Sequence, residues 1–113
     1  MSKIIEFQKF LEIDIRVGTI VKAEINNSLN IPSVVMKIDF GKNICFKKSS
    51  AHLIVNYSIK ELINKQIAAV VNFKPKQIGN LISEVLVLGF PDENHKPILV
   101  SPDKKVDNGG KLY

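Results

Sequence analysis

The stretch Ile13-Asp14-Ile15-Arg16-Val17-Gly18-Thr19-Ile20-Val21-Lys22-Ala23-Glu24-Ile25 decides the fold. Ile13, Ile15, Val17, Val21, Ala23 and Ile25 fall on one phase of a two-residue period, and Asp14, Arg16, Lys22 and Glu24 on the other. That alternation predicts a long, half-buried strand with the first set facing inward. Gly18 interrupts it, and a glycine inside a strand marks a bulge or a sharp bend. A long first strand that bends is typical of small closed barrels.

The same reading extends outward. Val34, Met36, Ile38 and Phe40 alternate in a second strand, Val34 to Phe40, and Gly41-Lys42-Asn43 reads as a hairpin turn into a third, Ile44 to about Lys48. Ser49, Ser50 and Ala51 are expected to end or kink that strand. Residues 26–33 are rich in Asn and Ser and carry Pro32, so they read as a loop. Ser58 and Glu61 have the spacing of a capping box, which starts a short helix over 58–65. Gln66 to Phe73 is nearly all apolar and reads as a central fourth strand. Lys74 to Leu81 reads as a loop, Ser83 to Phe90 as a fifth strand, Pro91 to Pro97 as a polar turn and Ile98 to Ser101 as a short sixth strand. Before all of these, Ile4, Phe7 and Leu11 recur at helical spacing over Ser2 to Leu11, with Ile5 and Phe10 widening an apolar face that needs a partner surface. Three strands, a helix and further strands is the order of the five-stranded OB barrel. The expected fold class is therefore all-β: a five-stranded OB barrel with a short N-terminal helix, one helix between strands three and four, and a C-terminal extension, forming a single domain over 1–113.

Composition agrees. Of 113 residues, 28 are β-branched (16 Ile, 11 Val, 1 Thr), which favours strands. The single cysteine, Cys45, excludes an internal disulfide and suits a reducing cytoplasm. It reads as a small apolar filler on a strand. No apolar run approaches the ~18 residues of a membrane span. The net charge of +5 attracts polyanions. Fifteen of the sixteen basic residues are Lys, which suits backbone contact better than bidentate base reading. An A/T-rich genome would also raise Lys, Ile and Asn together.

No enzyme constellation is visible. His52 and His95 lie far apart without ligand spacing, Ser49 and Ser50 lack an adjacent base, and Gly109-Gly110 lacks the context of a phosphate loop. No catalytic residue, metal or cofactor is expected. Two basic, polar segments remain, Lys47-Lys48-Ser49-Ser50 and Asn72-Phe73-Lys74-Pro75-Lys76-Gln77. Loops at such strand ends border the ligand face of OB barrels. Phe73 can stack a base or fill the core. The expected ligand-binding residues, for an anionic or extended ligand, are Lys47, Lys48, Ser49, Ser50, Asn72, Phe73, Lys74, Lys76, Ser83 and Glu84. Lys47, Lys48, Asn72, Lys74 and Lys76 are expected on one rim at the ends of strands three and four.

The blocks DIRVGTIVKAE (14–24), KIDFG (37–41), KKSSA (47–51), QIAAVVNFKPKQI (66–78), SEVLVLG (83–89), SPD (101–103) and Asn108-Gly109 resemble, in order, the tRNA-binding-domain OB fold. That family includes free-standing tRNA-binding proteins, the C-terminal extensions of some methionyl-tRNA synthetases and the CsaA secretion chaperones. SEVLVLG with NFKPKQI looks most like the CsaA branch, because the tRNA-binding relatives usually carry a Ser-x-Gly-Met-like segment at Ser83 to Leu86. The resemblance implies a cytoplasmic homodimer that binds unfolded or pre-secretory polypeptides without ATP, with Phe73, Ile78 and Leu81 offering apolar contact. The alternative is a structure-specific tRNA binder; an enzyme is the third reading.

Overall fold

Gly18 sits where the first strand changes neighbours. In the computed structural model, which describes residues 2–28 and 30–113, strand β1 spans Ile15–Asn26. Its first part pairs with β4 (Gln66–Val70), and its later part, from Thr19, pairs with β2 (Ser33–Asp39). A Cβ on Gly18 would lie 2.7 Å from both Ile38 Cγ2 and Phe40 Cδ1, so only glycine lets the sheet curl this tightly. With β3 (Phe46–Ala51) and β7 (Leu86–Val87), the order β3-β2-β1-β4-β7 forms one five-stranded sheet. Curled on itself, this is an all-β, OB-like half-barrel. Its core gathers Ile20, Val34, Met36, Ile38, Phe40, Leu53, Leu62 and Ile67, all almost fully buried.

The inward face of β2 is the one expected. The inward face of β1 is not. Gly18, Ile20 and Ala23 are buried, whereas Ile13, Val21 and Ile25 are exposed. The cause is a bulge: Ile20 pairs with Ile38 but Lys22 with Lys37, so Val21 is the extra residue and the phase flips across it. Ile15 and Val17, on the outward phase, are half-buried. There the C-terminal segment takes over from β2 along the edge of β1. Gly109 N donates to Val17 O (2.8 Å), Val17 N to Gly110 O (3.1 Å) and Leu112 N to Ile15 O (2.8 Å). Arg16 Nη1 also donates to Gly109 O, and Thr19 Oγ1 to Asn108 Oδ1.

Other elements shift for local reasons. Helix α1 covers only Phe7–Glu12, without a side-chain cap at Glu6. The β-branched pair Ile4-Ile5 before it favours extended backbone. Helix α2 (Ile59–Leu62) has the full capping box, Ser58 Oγ accepting from Glu61 N and Glu61 Oε1 from Ser58 N. Cys45 is no strand filler: it is exposed at φ +67° in the turn before β3. Strand β3 runs through Ser49, Ser50 and Ala51, which pair with Met36, Val35 and Val34, so there is no kink. Beyond β4, the expected loop contains a hairpin, β5 (Lys76–Ile78) with β6 (Leu81–Ser83), turning at Gly79-Asn80. The expected fifth strand is broken into the end of β6, then β7 and β8 (Gly89–Pro91), and β8 pairs with β9 (Pro97–Leu99). Leu29, inside the loop expected over 26–33, lies outside the described residues.

Candidate polypeptide groove and lysine row

The barrel is closed between β3 and the segment after β6, and side chains do most of the closing. Glu84 N donates to Lys48 O (2.8 Å). In return Lys48 N donates to Glu84 Oε1 (2.9 Å), and Ser50 N to Ser83 Oγ (2.9 Å). One residue inward, the buried Ser49 donates its hydroxyl to Val85 O (3.0 Å). β3 thus presents alternate backbone groups outward to two side-chain oxygens in place of a continuous neighbouring strand.

Along this seam lies a groove of about 520 Å³. Ser50 and His52 line one wall, Ser83 to Val87 the other, and Phe73, Lys74, Lys76 and Ile78 the end. Phe73, Ile78 and Leu86 are each about half exposed, at 54%, 44% and 50%. Leu81, expected among the apolar contacts, is buried in the core side of its hairpin instead.

A second groove, about 410 Å³, lies on the outer face of β1, β2 and β3. Lys22 pairs with Lys37, and Lys37 with Lys48, so three ammonium groups stand in one row across adjacent strands. Like charges directly opposite one another destabilise a sheet. Lys37 Nζ lies 4.5 Å from the centroid of the Phe46 ring, which is itself half exposed. The one ion pair among the described residues is elsewhere, between Arg16 and Asp14 (2.6 Å).

A sequence family described as "Putative tRNA binding domain" matches residues 15–111. The chain belongs to the tRNA-binding-domain family. Within it the chain is of the CsaA type. It is similar over 98% of its length to chaperone CsaA from Bacillus anthracis, at 39% identity and a TM-score of 0.92, and covers 100% of that chain. For the CsaA chaperone protein of Picrophilus torridus the figures are 97% of this chain, 46% identity, a TM-score of 0.89 and 100% coverage of that chain. Among curated relatives, the methionine–tRNA ligases of Pyrococcus horikoshii and Pyrococcus furiosus are 31% and 33% identical over 109 residues, 96% of this chain. The chain spans only 14% of the length of those ligases.

This tRNA-binding domain brings Ser49, Ser50, Phe73, Lys74, Lys76, Ser83 and Glu84 to the seam groove. Lys47 and Lys48 line the outer groove, with Glu84 shared between the two. The single rim expected for the five polar residues is therefore divided, because β3 continues past Lys48 and points it away from Lys74. Asn72 stands apart from both grooves. Its side chain accepts from Asp14 N (3.0 Å) and donates to Glu12 O (2.8 Å), joining the end of α1 to the start of β1. Lys22 and Lys37 were missing from the sequence reading. Their outward alternation with Glu24 and Val35 is the signal that points to them once the bulge is placed.

No group of three or more His, Cys, Asp or Glu among the described residues could hold a metal. Nor is any described helix long and apolar enough to cross a membrane. Two carboxylates in this tRNA-binding domain, the half-buried Asp92 and the exposed Glu61, are held below the usual carboxylate range. For Asp92 the main cause is the Asn56 amide, followed by the backbone of Lys96 and Asn94; for Glu61 it is the backbone and then the hydroxyl of Ser58. A lowered folded pKa means stability that is full above the ordinary carboxylate range and is lost as pH falls through the lowered value. Thermal melts of Asp92→Asn and Glu61→Gln should therefore lose less Tm than the parent between pH 6 and pH 3. Parallel acid limbs would refute this.

Proposed function

We propose that the chain is a CsaA-like chaperone that binds unfolded or pre-secretory polypeptides, without ATP and without chemistry of its own. The seam groove carries this reading. It offers half-exposed apolar side chains flanked by hydroxyls and lysines, a surface suited to many sequences and not to one small molecule. The likeness to CsaA chaperones over nearly the whole chain supports it. The working form is a cytoplasmic homodimer. Ile4, Ile5, Phe7 and Leu11 all stand exposed, and α1 buries none of its residues within its own chain, so a second copy is the fitting cover. Two grooves on one dimer would add avidity to weak single contacts. Light scattering should give twice the chain mass.

Stoichiometric protein should suppress aggregation of a chemically denatured globular protein with no nucleotide present. Replacing Lys74 and Lys76 together by Ala should weaken client binding while Tm stays nearly constant, because exposed substitutions usually change stability by no more than ~0.5 kcal/mol. No suppression at several-fold excess sinks the reading.

The lysine row favours a second reading, a structure-specific tRNA binder, since Lys22, Lys37 and Lys48 can meet backbone phosphates and Phe46 a base. Binding would then fall with salt, with a log–log slope of about −0.7 to −0.9 per phosphate neutralised. Filter binding of tRNA against random RNA of equal length separates the readings. Indifference between the two RNAs leaves only general attraction between a basic surface and a polyanion.

A further inference from the structure

We infer that the polypeptide enters as an added β-strand along the outer edge of β3, taking the places now held by the side chains of Ser83 and Glu84; this deepens the polypeptide-binding reading and rests on it. The geometry begins with β3 itself, which is the edge of the five-stranded sheet. An edge strand offers a row of main-chain donors and acceptors, and a free extended chain is the natural complement of that row. Here the row is occupied by side chains. Lys48 N is held by a carboxylate oxygen and Ser50 N by a hydroxyl, with a single main-chain bond between them, from Glu84 N to Lys48 O.

These caps can be exchanged at little cost. An incoming peptide carbonyl replaces each side-chain oxygen bond for bond, and an incoming N–H replaces that of Glu84. The carboxylate and hydroxyl released are polar groups at the surface, which water hydrates. What must move is Ser83 and Glu84, ahead of β7, which begins at Leu86, and the pairing of Ser83 with Lys76 at the end of the β5–β6 hairpin opens with them. The next residue, Val85, stays anchored by burial and by the Ser49 hydroxyl.

The occupant is identified by this chemistry. Main-chain pairing is the same for every residue type except proline, so such an edge accepts unrelated sequences, as long as they are extended and unfolded. Every second side chain of the added strand would point toward Phe73, Ile78 and Leu86, which asks for apolar residues at alternate positions. Lys74 and Lys76 face a single acidic group of the groove, Glu84, so the rim favours a segment bearing an acidic residue over a basic one. RNA has no row of alternating amide donors and acceptors to offer this edge. The lysine row, on the other face of β3, is where RNA would bind.

The test uses the unmodified protein and three synthetic peptides of one sequence, with alternating valine and threonine and one central glutamate. One peptide is unmodified. The second is N-methylated at odd positions, the third at even positions, so each loses the N–H groups of one edge only. In parallel, the protein is assayed with a reduced, carboxymethylated globular protein as client. The inference requires that one methylated peptide binds at least about tenfold more weakly than the parent, as the loss of one or two net hydrogen bonds would give, while the other stays within about twofold. It also requires the Lys48 and Ser50 amide signals to shift on titration, and Ser83→Ala, which uncaps Ser50 N, to bind the parent peptide more tightly. If the client binds but both methylated peptides behave alike, strand addition is wrong and the chaperone reading stands. If neither client nor peptide binds, the chaperone reading falls and the inference with it. A peptide displaced by RNA, with shifts confined to Lys22 and Lys37, likewise overturns it.

Discussion

Phe40→Ala should destabilise the fold by about 3–5 kcal/mol, the usual cost of emptying a buried aromatic site. Phe40 is 1% exposed and closes the end of the core against Gly18. With total stabilities of ~5–15 kcal/mol for domains of this kind, that is a large fraction of the whole. Gly18→Ala attacks the same contact from the other side. Its new methyl would sit 2.7 Å from Ile38 Cγ2 and Phe40 Cδ1, and overpacking of this sort costs about 1–3 kcal/mol. The two effects should not add. In Gly18→Ala/Phe40→Leu the smaller side chain makes room for the methyl, so the double variant should be more stable than the sum of its single variants implies. Urea unfolding of all the variants measures this, and strict additivity would show that the clash is relieved elsewhere.

The second large effect belongs to Gly109→Ala. Gly109 sits at φ +91°, where a Cβ is strained, at a cost of about 1–3 kcal/mol. That Cβ would also lie 2.5 Å from Phe40 O, which is backbone and cannot swing away. The variant can fold only by lifting the segment from β1, giving up the bonds from Gly109 N to Val17 O and from Arg16 to Gly109 O. The expected signature is a lower Tm together with faster amide exchange at Val17 and Leu112. An unchanged exchange rate at both amides would mean that the segment stays docked and that the strain is absorbed locally.

How far the chain could be read without coordinates depends on the range of the interactions involved. Val34, Met36, Ile38 and Phe40 were legible because β2 runs without a bulge, so period two holds throughout. Ser58 and Glu61 were legible because a capping box is contained within four residues. In β1 the bulge at Val21 changes the register, not the composition, and nothing local announces it. Gly18 was visible as an interruption, but its reason, the Phe40 ring, comes from another strand. Ser49 and Ser50 looked like a strand end because serine favours turns. Their hydroxyls are satisfied 36 and 33 residues away, by Val85 O and Ser83 Oγ. The same distance problem explains Asn72, whose amide is spent on residues 58 and 60 positions earlier. The candidate groove was legible as two basic segments, and the structure puts Lys47 and Lys48 of the first on the outer face but its Ser49 and Ser50 at the seam beside Phe73, Lys74 and Lys76. Lys22 and Lys37 joined the second face only through strand pairing.

The clasp of residues 109–112 over the beginning of β1 has a consequence in time. Arg16 and Gly109 are 93 positions apart, so this strand edge must wait for a segment that is synthesised 93 residues after it. Contacts of such sequence separation slow folding, because the chain must close a long loop before it gains from them. During translation, residues 15–17 leave the ribosome long before their partners and present an open strand edge through that interval. An emerging chain in this state is most prone to pair with the wrong neighbour, including another copy of itself. Completion of the sheet should therefore appear as a late, single event once residue 112 has cleared the exit tunnel.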